Sequence, residues 1–304
     1  MSGFTITAGV SFSGGFTFTE APVENTAAWF GGGGGNLSTV DRITYATDTA
    51  TASVRGPLSL GRGYLAAAGN YTDSWFGGGY TPIRSSVERI TYATDTATAS
   101  VRGPLSGGKY SLAAAGNTTD AWFGGGGPTS STVNRITYTT DTATASVRGP
   151  LSSARYMLAA VGNTTDAWFA CGQGPVSTVD RITYATDTAT ASVRGPLSAG
   201  RRYLAAAGNS TEGWFGGGRD PTPISTVDRI TYATDTATAS VRGSLSSARS
   251  GLAAASNTTD AWFGGGGPSS TVNRITFATD TNTASVRGPL SSARVVLAAA
   301  GGIQ

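Results

Sequence analysis

A basic residue recurs just before a short Leu-Ala-Ala tract, at Arg62, Lys109, Arg155, Arg201, Arg249 and Arg294. Around it gather Tyr64, Tyr80, Arg84, Tyr110, Tyr156, Arg202, Tyr203 and Arg219, with Asp220 beside the last. Arginine offers a rigid fork of donors and tyrosine an amphipathic ring, a combination suited to gripping an anionic or sugar-like ligand. Equally, each arginine could answer an acidic residue or a carbonyl of its own repeat, once per repeat. Catalysis has less to work with. The 304 residues include no histidine, which removes the Ser-His-Asp triad, the histidine-ligated zinc site and the histidine pH switch. The single cysteine, Cys171, allows neither an intrachain disulfide nor a cysteine metal cluster. The neighbours Asp41-Arg42, Asp180-Arg181 and Asp228-Arg229 suit salt bridges at strand starts better than an acid/base dyad. The expectation is a non-enzymatic chain with no cofactor and no metal.

Composition narrows the partners. Apolar residues make up 39% and charged residues 13%, with 44 glycines and 12 prolines, so a folded core is expected. The net charge of +3 is spread without a basic run, which leaves no footprint for a phosphate backbone, and nucleic acid is not an expected partner. No stretch approaches the ~20 apolar residues of a membrane helix, so no membrane insertion is expected. The start, MSGFTITAGVSFSGG, lacks the cationic and apolar regions of a secretory signal.

The elements that must position these residues follow from an internal period. Trp-Phe begins at Trp29, Trp75, Trp122, Trp168, Trp214 and Trp262, at spacings of 46, 47, 46, 46 and 48. Each unit then runs through glycines, a variable loop, Arg-Ile-Thr-Tyr (Phe277 in the last), an Asp-Thr turn, Ser-Val-Arg-Gly and the basic residue before Leu-Ala-Ala. Thr, Val, Ile, Tyr and Trp punctuated by Asn- and Asp-led turns predict strands. In the second unit these are 64–69, 74–77, 87–94 and 96–102. Four strands per unit, six times over, predict an all-β, six-bladed β-propeller, because such a sheet buries both faces only between two neighbours. The first unit lacks a preceding Leu-Ala-Ala strand and the last Leu-Ala-Ala lacks a following Trp-Phe. Val295 to Gly302 is therefore expected to supply the innermost strand of the blade begun by Ala28 to Arg55, which closes the ring and removes its open edges. Trp and Phe should point to opposite faces of each blade and interlock neighbours.

Two features of the repeat carry a resemblance. Arg62–Ala68, Trp75–Gly79, Arg89–Asp95 and Ala97–Gly103 follow the order of parts in a kelch repeat, although a typical kelch unit has its tryptophan soon after the third strand, whereas here it precedes the glycines. The tract RITYATDTATASVRGPLS also resembles uncharacterised repeat proteins of phages, especially those infecting cyanobacteria. That likeness implies a virion setting and names no activity. Six-bladed sialidases use an arginine cluster with Tyr and Glu, but their Ser-x-Asp-x-Gly-x-Thr-Trp box is absent.

Comparison of the six units shows which positions vary. The Asn-Thr-Thr-Asp and Thr-Asp-Thr turns barely change; Asn70-Tyr71-Thr72, Asn117-Thr118-Thr119 and Asn163-Thr164-Thr165 match the glycosylation sequon, yet each sits where an Asn-led turn is needed. The glycine runs lack the Lys-Ser/Thr ending of a phosphate loop and read as flexible. The loop after Trp-Phe and the segment before the inner strand do vary, and strand alternation brings both to one end of the propeller. That diversified face carries the fourteen basic and tyrosine residues named above, and loops on a rigid scaffold are where binding residues collect. Residues 1–27 form a separate segment, where Phe4, Ile6, Ala8 and Val10 alternate with polar residues as in a hairpin with one apolar side. The reading is an N-terminal arm (1–27) for anchoring or oligomerisation and a propeller (28–304). The expected role is a phage tail fibre, baseplate appendage or capsid decoration. The arm would either fold back over the propeller or meet other virion proteins or sister copies, and the variable face would meet a host glycan, a receptor or another virion protein. A glycan-active hydrolase or lyase and a cytoplasmic kelch-type adaptor are the alternatives.

Overall fold

The computed structural model describes residues 26–301 apart from Pro175. Residues 1–25 and 302–304, and with them most of the expected arm and the last residue of the expected closing strand, lie outside the described residues. The rest is a six-bladed β-propeller of four-stranded antiparallel sheets. Blade 1 contains Ala27–Gly31, Val40–Thr44 and Ser53–Arg55, and its innermost strand is Ala298–Gly301 from the far end of the chain. From the axis outward, blade 2 is Ala66–Gly69, Asp73–Gly77, Val87–Thr91 and Ser100–Arg102; blade 3 is Ala113–Gly116, Asp120–Gly124, Val133–Thr137 and Ser146–Arg148. Blade 4 is Ala159–Gly162, Asp166–Ala170, Val179–Thr183 and Ser192–Arg194; blade 5 is Ala205–Gly208, Glu212–Gly216, Val227–Thr231 and Ser240–Arg242. Blade 6 is Leu252–Ser256, Asp260–Gly265, Val272–Thr276 and Ser285–Arg287. The closing strand pairs antiparallel with the first, Ala28 opposite Gly301 and Gly31 opposite Ala298, as the phase of the repeat predicts.

Three of the four strands of blade 2 are shorter than the sequence suggests, while the second gains Asp73. The third strand of blade 2 ends at Thr91, and Tyr92–Thr94 turns into a 3₁₀ segment, as its equivalents do in every blade. The outer strand starts at Ser100, because Ala97 N–H bonds back to Thr94 and Ala99 N–H reaches Pro57 of the preceding blade. The inner strand starts at Ala66, since Tyr64 adopts φ +60° and cannot continue a ladder.

The 3₁₀ turn swings its aromatic residue onto the neighbouring blade. Each tryptophan stacks on the Tyr or Phe of the next, with centroids 3.7–4.0 Å apart and planes within 14°. Trp and Phe do face opposite ways: Trp75 shares a core cluster with Phe123 of the next blade, and Trp262 shares one with Phe30 across the closure. The Asp that ends each turn completes the joint. Asp95 accepts Trp29 Nε1–H at 2.9 Å and lies 3.1 Å from Arg42 Nη1 and 3.5 Å from Arg55 Nε, all three donors coming from blade 1. Asp141, Asp187, Asp235, Asp280 and Asp48 repeat this clasp, the last closing the ring with Trp262 at 2.8 Å. So Arg42, Arg181 and Arg229 do not pair with the aspartates beside them in sequence; they reach across to the next blade. No helix of the described residues is long and apolar enough to cross a membrane.

Candidate binding face

The loops after the second strands and those before the inner strands meet at one end of the propeller. Gly63 bridges Tyr80, Tyr110 bridges Gly127, and Arg202 bridges Arg219. The glycine runs here answer close packing rather than flexibility. Gly32 has φ +71°, and a Cβ on it would lie 2.5 Å from the carbonyl oxygen of Arg62. The fully buried Cys171 takes the equivalent place in blade 4, where burial pushes its thiol up to about 11 and leaves it inert. The Asn-Thr-Thr-Asp turns occupy the opposite end, with Asn70 Oδ1 accepting the N–H groups of Thr72 and Asp73, which is turn chemistry at the sequon.

Six of the fourteen sequence-selected residues are corrected by their burial. Arg62, Lys109, Arg155, Arg201, Arg249 and Arg294 lie inside the blades and cannot grip a surface ligand. Arg155 pairs with Asp180 at 2.8 Å, Arg201 with Asp228 at 2.7 Å, Arg294 with Asp41 at 2.5 Å, and Arg62 with Glu88. Arg249 bonds Asn273 Oδ1 at 2.8 Å, and Lys109 bonds Ser130 Oγ at 2.8 Å. All but Lys109 reach a side chain of their own blade's third strand, assisted by Ser152 N–H on Asp180 and Ser291 N–H on Asp41. Desolvation depresses the pKa of Arg62, Arg155, Arg249 and Arg294, with Glu88, Asp180 and Asp41 opposing that depression for Arg62, Arg155 and Arg294.

Of the remaining eight, the five tyrosines come together near the axis. Tyr64 stands 6.3 Å from Tyr80, 6.5 Å from Tyr110 and 6.3 Å from Tyr203, measured between ring centroids; Tyr80 lies 5.0 Å from Tyr110, and Tyr110 lies 6.5 Å from Tyr156. Tyr64 and Tyr203 belong to opposite blades, so their rings meet over the axis. Beneath them is a cup of about 70 Å³, and of its six-residue rim sequence reasoning found only Tyr64 and Tyr203. Tyr64, Ser111, Met157, Tyr203, Gly251 and Val296 occupy the same repeat position, and all have positive φ, between 52° and 71°. Their backbones form a closed hydrogen-bonded circle: Ser111 N–H bonds Tyr64, Met157 bonds Ser111, Tyr203 bonds Met157, Gly251 bonds Tyr203, Val296 bonds Gly251 and Tyr64 bonds Val296, at 2.6–2.9 Å. The signal was available, since each directly precedes the leucine of an inner strand, but their differing types hid the shared position. Below the circle runs an axial channel of about 180 Å³ walled by leucine, alanine and glycine.

Charge is also concentrated here. Among the described residues, the basic side chains without an ion pair are Arg84, Lys109, Arg202, Arg219 and Arg249, and all five belong to this end; the one unpaired acid, Asp220, is exposed beside them. Arg202 bonds Gln173 Oε1 at 2.8 Å and Arg219 bonds the carbonyl of Pro221 at 3.1 Å, so both are held with donors to spare.

No family model matches the chain, and no curated protein matches it in sequence. Its fold is shared with a solved protein described as "Structure of YjhT", with a TM-score of 0.65 and 11% identity over 79% of this chain and 87% of that one. At that identity the likeness is one of fold.

Proposed function

We propose that this propeller is a non-enzymatic binding module displayed on a phage particle, with the tyrosine and arginine face directed at a host glycan, a receptor or another virion protein. The observation that carries the reading is polarity. The unpaired cations and the tyrosine arc lie at one end, whereas Thr26, to which residues 1–25 are joined, and Gly301 lie at the end opposite the diversified loops. A display module needs that geometry, because its tether must not obstruct its binding surface. Strain supports it too. Non-glycine residues held at positive φ cost about 1–3 kcal/mol each and gather where a surface is shaped for a task. Five of the six in the axial circle are not glycine.

Hydrolysis would need two carboxylates facing one cleft. At this end Asp41, Glu88, Asp180 and Asp228 are buried against arginines, leaving Asp220 as the free acid among the described residues. The test has two arms. Images of purified native particles should show propellers on the surface with the variable face outward, and immobilised acidic and neutral glycans should retain the protein but not its Tyr64→Ala/Tyr203→Ala variant. Particles that lack the protein remove the virion setting. Retention of the variant equal to that of the unaltered protein removes the binding face.

A further inference from the structure

The six blades serve as controls for one another, and blade 3 differs. In blade 2, Arg62 divides its guanidinium between two sets of acceptors. Nη1 donates to Gly78 O and Ser86 O at 3.1 Å each and to Ser86 Oγ at 2.8 Å, while Nη2 meets Glu88. Lys109 of blade 3 keeps only the glycine carbonyl of the first set, donating to Gly125 O at 3.3 Å, and finds a different hydroxyl, Ser130 Oγ, at 2.8 Å. With three protons on the ammonium and two acceptors, one donor is left over. Opposite it, Asn134 replaces the glutamate. Its Oδ1 accepts Ser106 N–H at 2.6 Å, as Glu88 accepts Ser59 N–H at 2.6 Å. That bond fixes the amide's orientation and puts Nδ2 where the sibling carboxylate has its second oxygen. Asn134 is fully buried, and Nδ2 has no partner.

Blade 6 shows that asparagine alone does not create this mismatch. There Arg249 reaches Asn273 Oδ1, and Asn273 Nδ2 donates to Ser246 Oγ at 2.9 Å, so each group is answered. Only in blade 3 does a lysine replace the arginine, and only there does the amide nitrogen at this third-strand position lack a partner. Lysine has two fewer heavy atoms than arginine, a difference of roughly 30 Å³, the share of one water molecule. A water could accept from both groups but would bring two protons that need acceptors, and the carboxylate that would take them is gone. It would also leave a buried ammonium uncompensated, which is costly.

We propose that Lys109 Nζ and Asn134 Nδ2 bind a small monovalent anion of the size and chemistry of chloride, which takes the place of the carboxylate that blades 1, 2, 4 and 5 supply. The anion accepts from both donors and neutralises the charge, and it pins the blade 3 loop as the ion pairs pin those of blades 1, 2, 4 and 5. Burial lowers the Lys109 pKa, a direction that a bound anion reverses.

Bromide serves as the probe, since it substitutes for chloride and scatters anomalously. Crystals of the full chain in bromide should show one anomalous peak within hydrogen-bond distance of Lys109 Nζ and Asn134 Nδ2 and none at the equivalent positions of the other five blades. A site filled by water, with no anomalous signal there, overturns the assignment. In solution, the melting temperature should rise by about 2 °C per tenfold increase in chloride against gluconate at constant ionic strength. The Lys109→Arg/Asn134→Asp protein, with the sibling pair restored, should not respond. An equal response from both proteins also overturns it. Neither arm depends on what the variable face binds.

Discussion

Asp141 shows how much one side chain does in this fold. Its carboxylate accepts Trp75 Nε1–H at 2.9 Å and lies 3.1 Å from Arg89 Nη1 and 3.5 Å from Arg102 Nε, so one residue gathers three donors from the preceding blade. Removing the acid strands a buried indole N–H and two guanidinium groups. Asp141→Ala is therefore expected to destabilise the protein by about 3 kcal/mol, toward the lower end for a broken buried pair because both arginines keep some access to water. Asp141→Asn retains an acceptor for the indole and should cost about half as much. Denaturant unfolding of the two variants checks this, and equal losses would show that charge, not the indole bond, dominates. The sequence showed that Asp in this turn barely changes between units, but turn chemistry explained it sufficiently, so its clasp on another blade stayed hidden. The buried arginines were hidden for a related reason. Arg62 and Glu88 are 26 positions apart, and only the blade's pleat turns Glu88 inward while Arg89 beside it faces the next blade. Tyrosines give a second prediction. Desolvation, then Tyr64, pushes Tyr203 up to about 12, and burial raises Tyr45, Tyr138, Tyr184 and Tyr232 further still. In the unfolded chain these phenols ionise near 10. Between those values the unfolded state sheds protons that the folded state keeps, so stability present below pH 10 is lost as pH rises through 10 towards 12 and beyond. Absorbance at 295 nm should show the exposed phenols ionising first, with the buried ones following only as the protein unfolds.

At the scale of the element, the period made strand count and order legible, because four β-rich segments and their turns recur with little change. Strand length was not legible from the same pattern. Tyr92–Thr94 has β-forming residues, yet stacking on Trp29 draws the ring out of the ladder and the backbone into a 3₁₀ turn. The glycines that follow the outer strands show a comparable tertiary demand. Gly56, Gly103, Gly149, Gly195, Gly243 and Gly288 lie so close to the next blade that a Cβ would come within 1.9–2.0 Å of a backbone carbonyl oxygen. Backbone cannot yield as a side-chain tip can. Gly149→Ala, beside the carbonyl of Ala189, must push blades 3 and 4 apart, and the expected cost is about 3 kcal/mol, comparable to overpacking a core. Thermal melting of that variant measures it. Gly35→Ala is the control: a Cβ there meets nothing within 4 Å, and its φ of +83° alone sets a cost of about 1 kcal/mol.

For the whole molecule, the ring is held at its seam by the same contacts that join any two blades, plus a strand contributed from the far end of the chain. Ala298–Gly301 completes blade 1, and Trp262 reaches Asp48 across the joint as Trp29 reaches Asp95 elsewhere. Deleting residues 295–304 removes the ladder to Ala28–Gly31 and the buried Leu297, whose loss alone is worth about 2–5 kcal/mol. That truncation is expected to abolish the cooperative melt of the intact protein. A loss of that kind would follow from removing any buried strand, so a rearranged chain separates closure from simple depletion. In the permuted protein Gly301 is joined to Thr26 through Asn-Thr, which reproduces the Asn-Thr-Thr turn of blade 3, and new ends are opened between Ser59 and Leu60. Residues 1–25 and 302–304 are left out, every blade is continuous in sequence, and no strand has to arrive from a distant terminus. Because the contacts of the folded ring are unchanged, the permuted protein should melt within a few degrees of the parent, and its refolding should be at least as fast, since closing blade 1 no longer pays for a loop of more than 200 residues. A truncated protein that melts like the parent, or a permuted one that does not fold, would show that the donated strand is not what seals the ring.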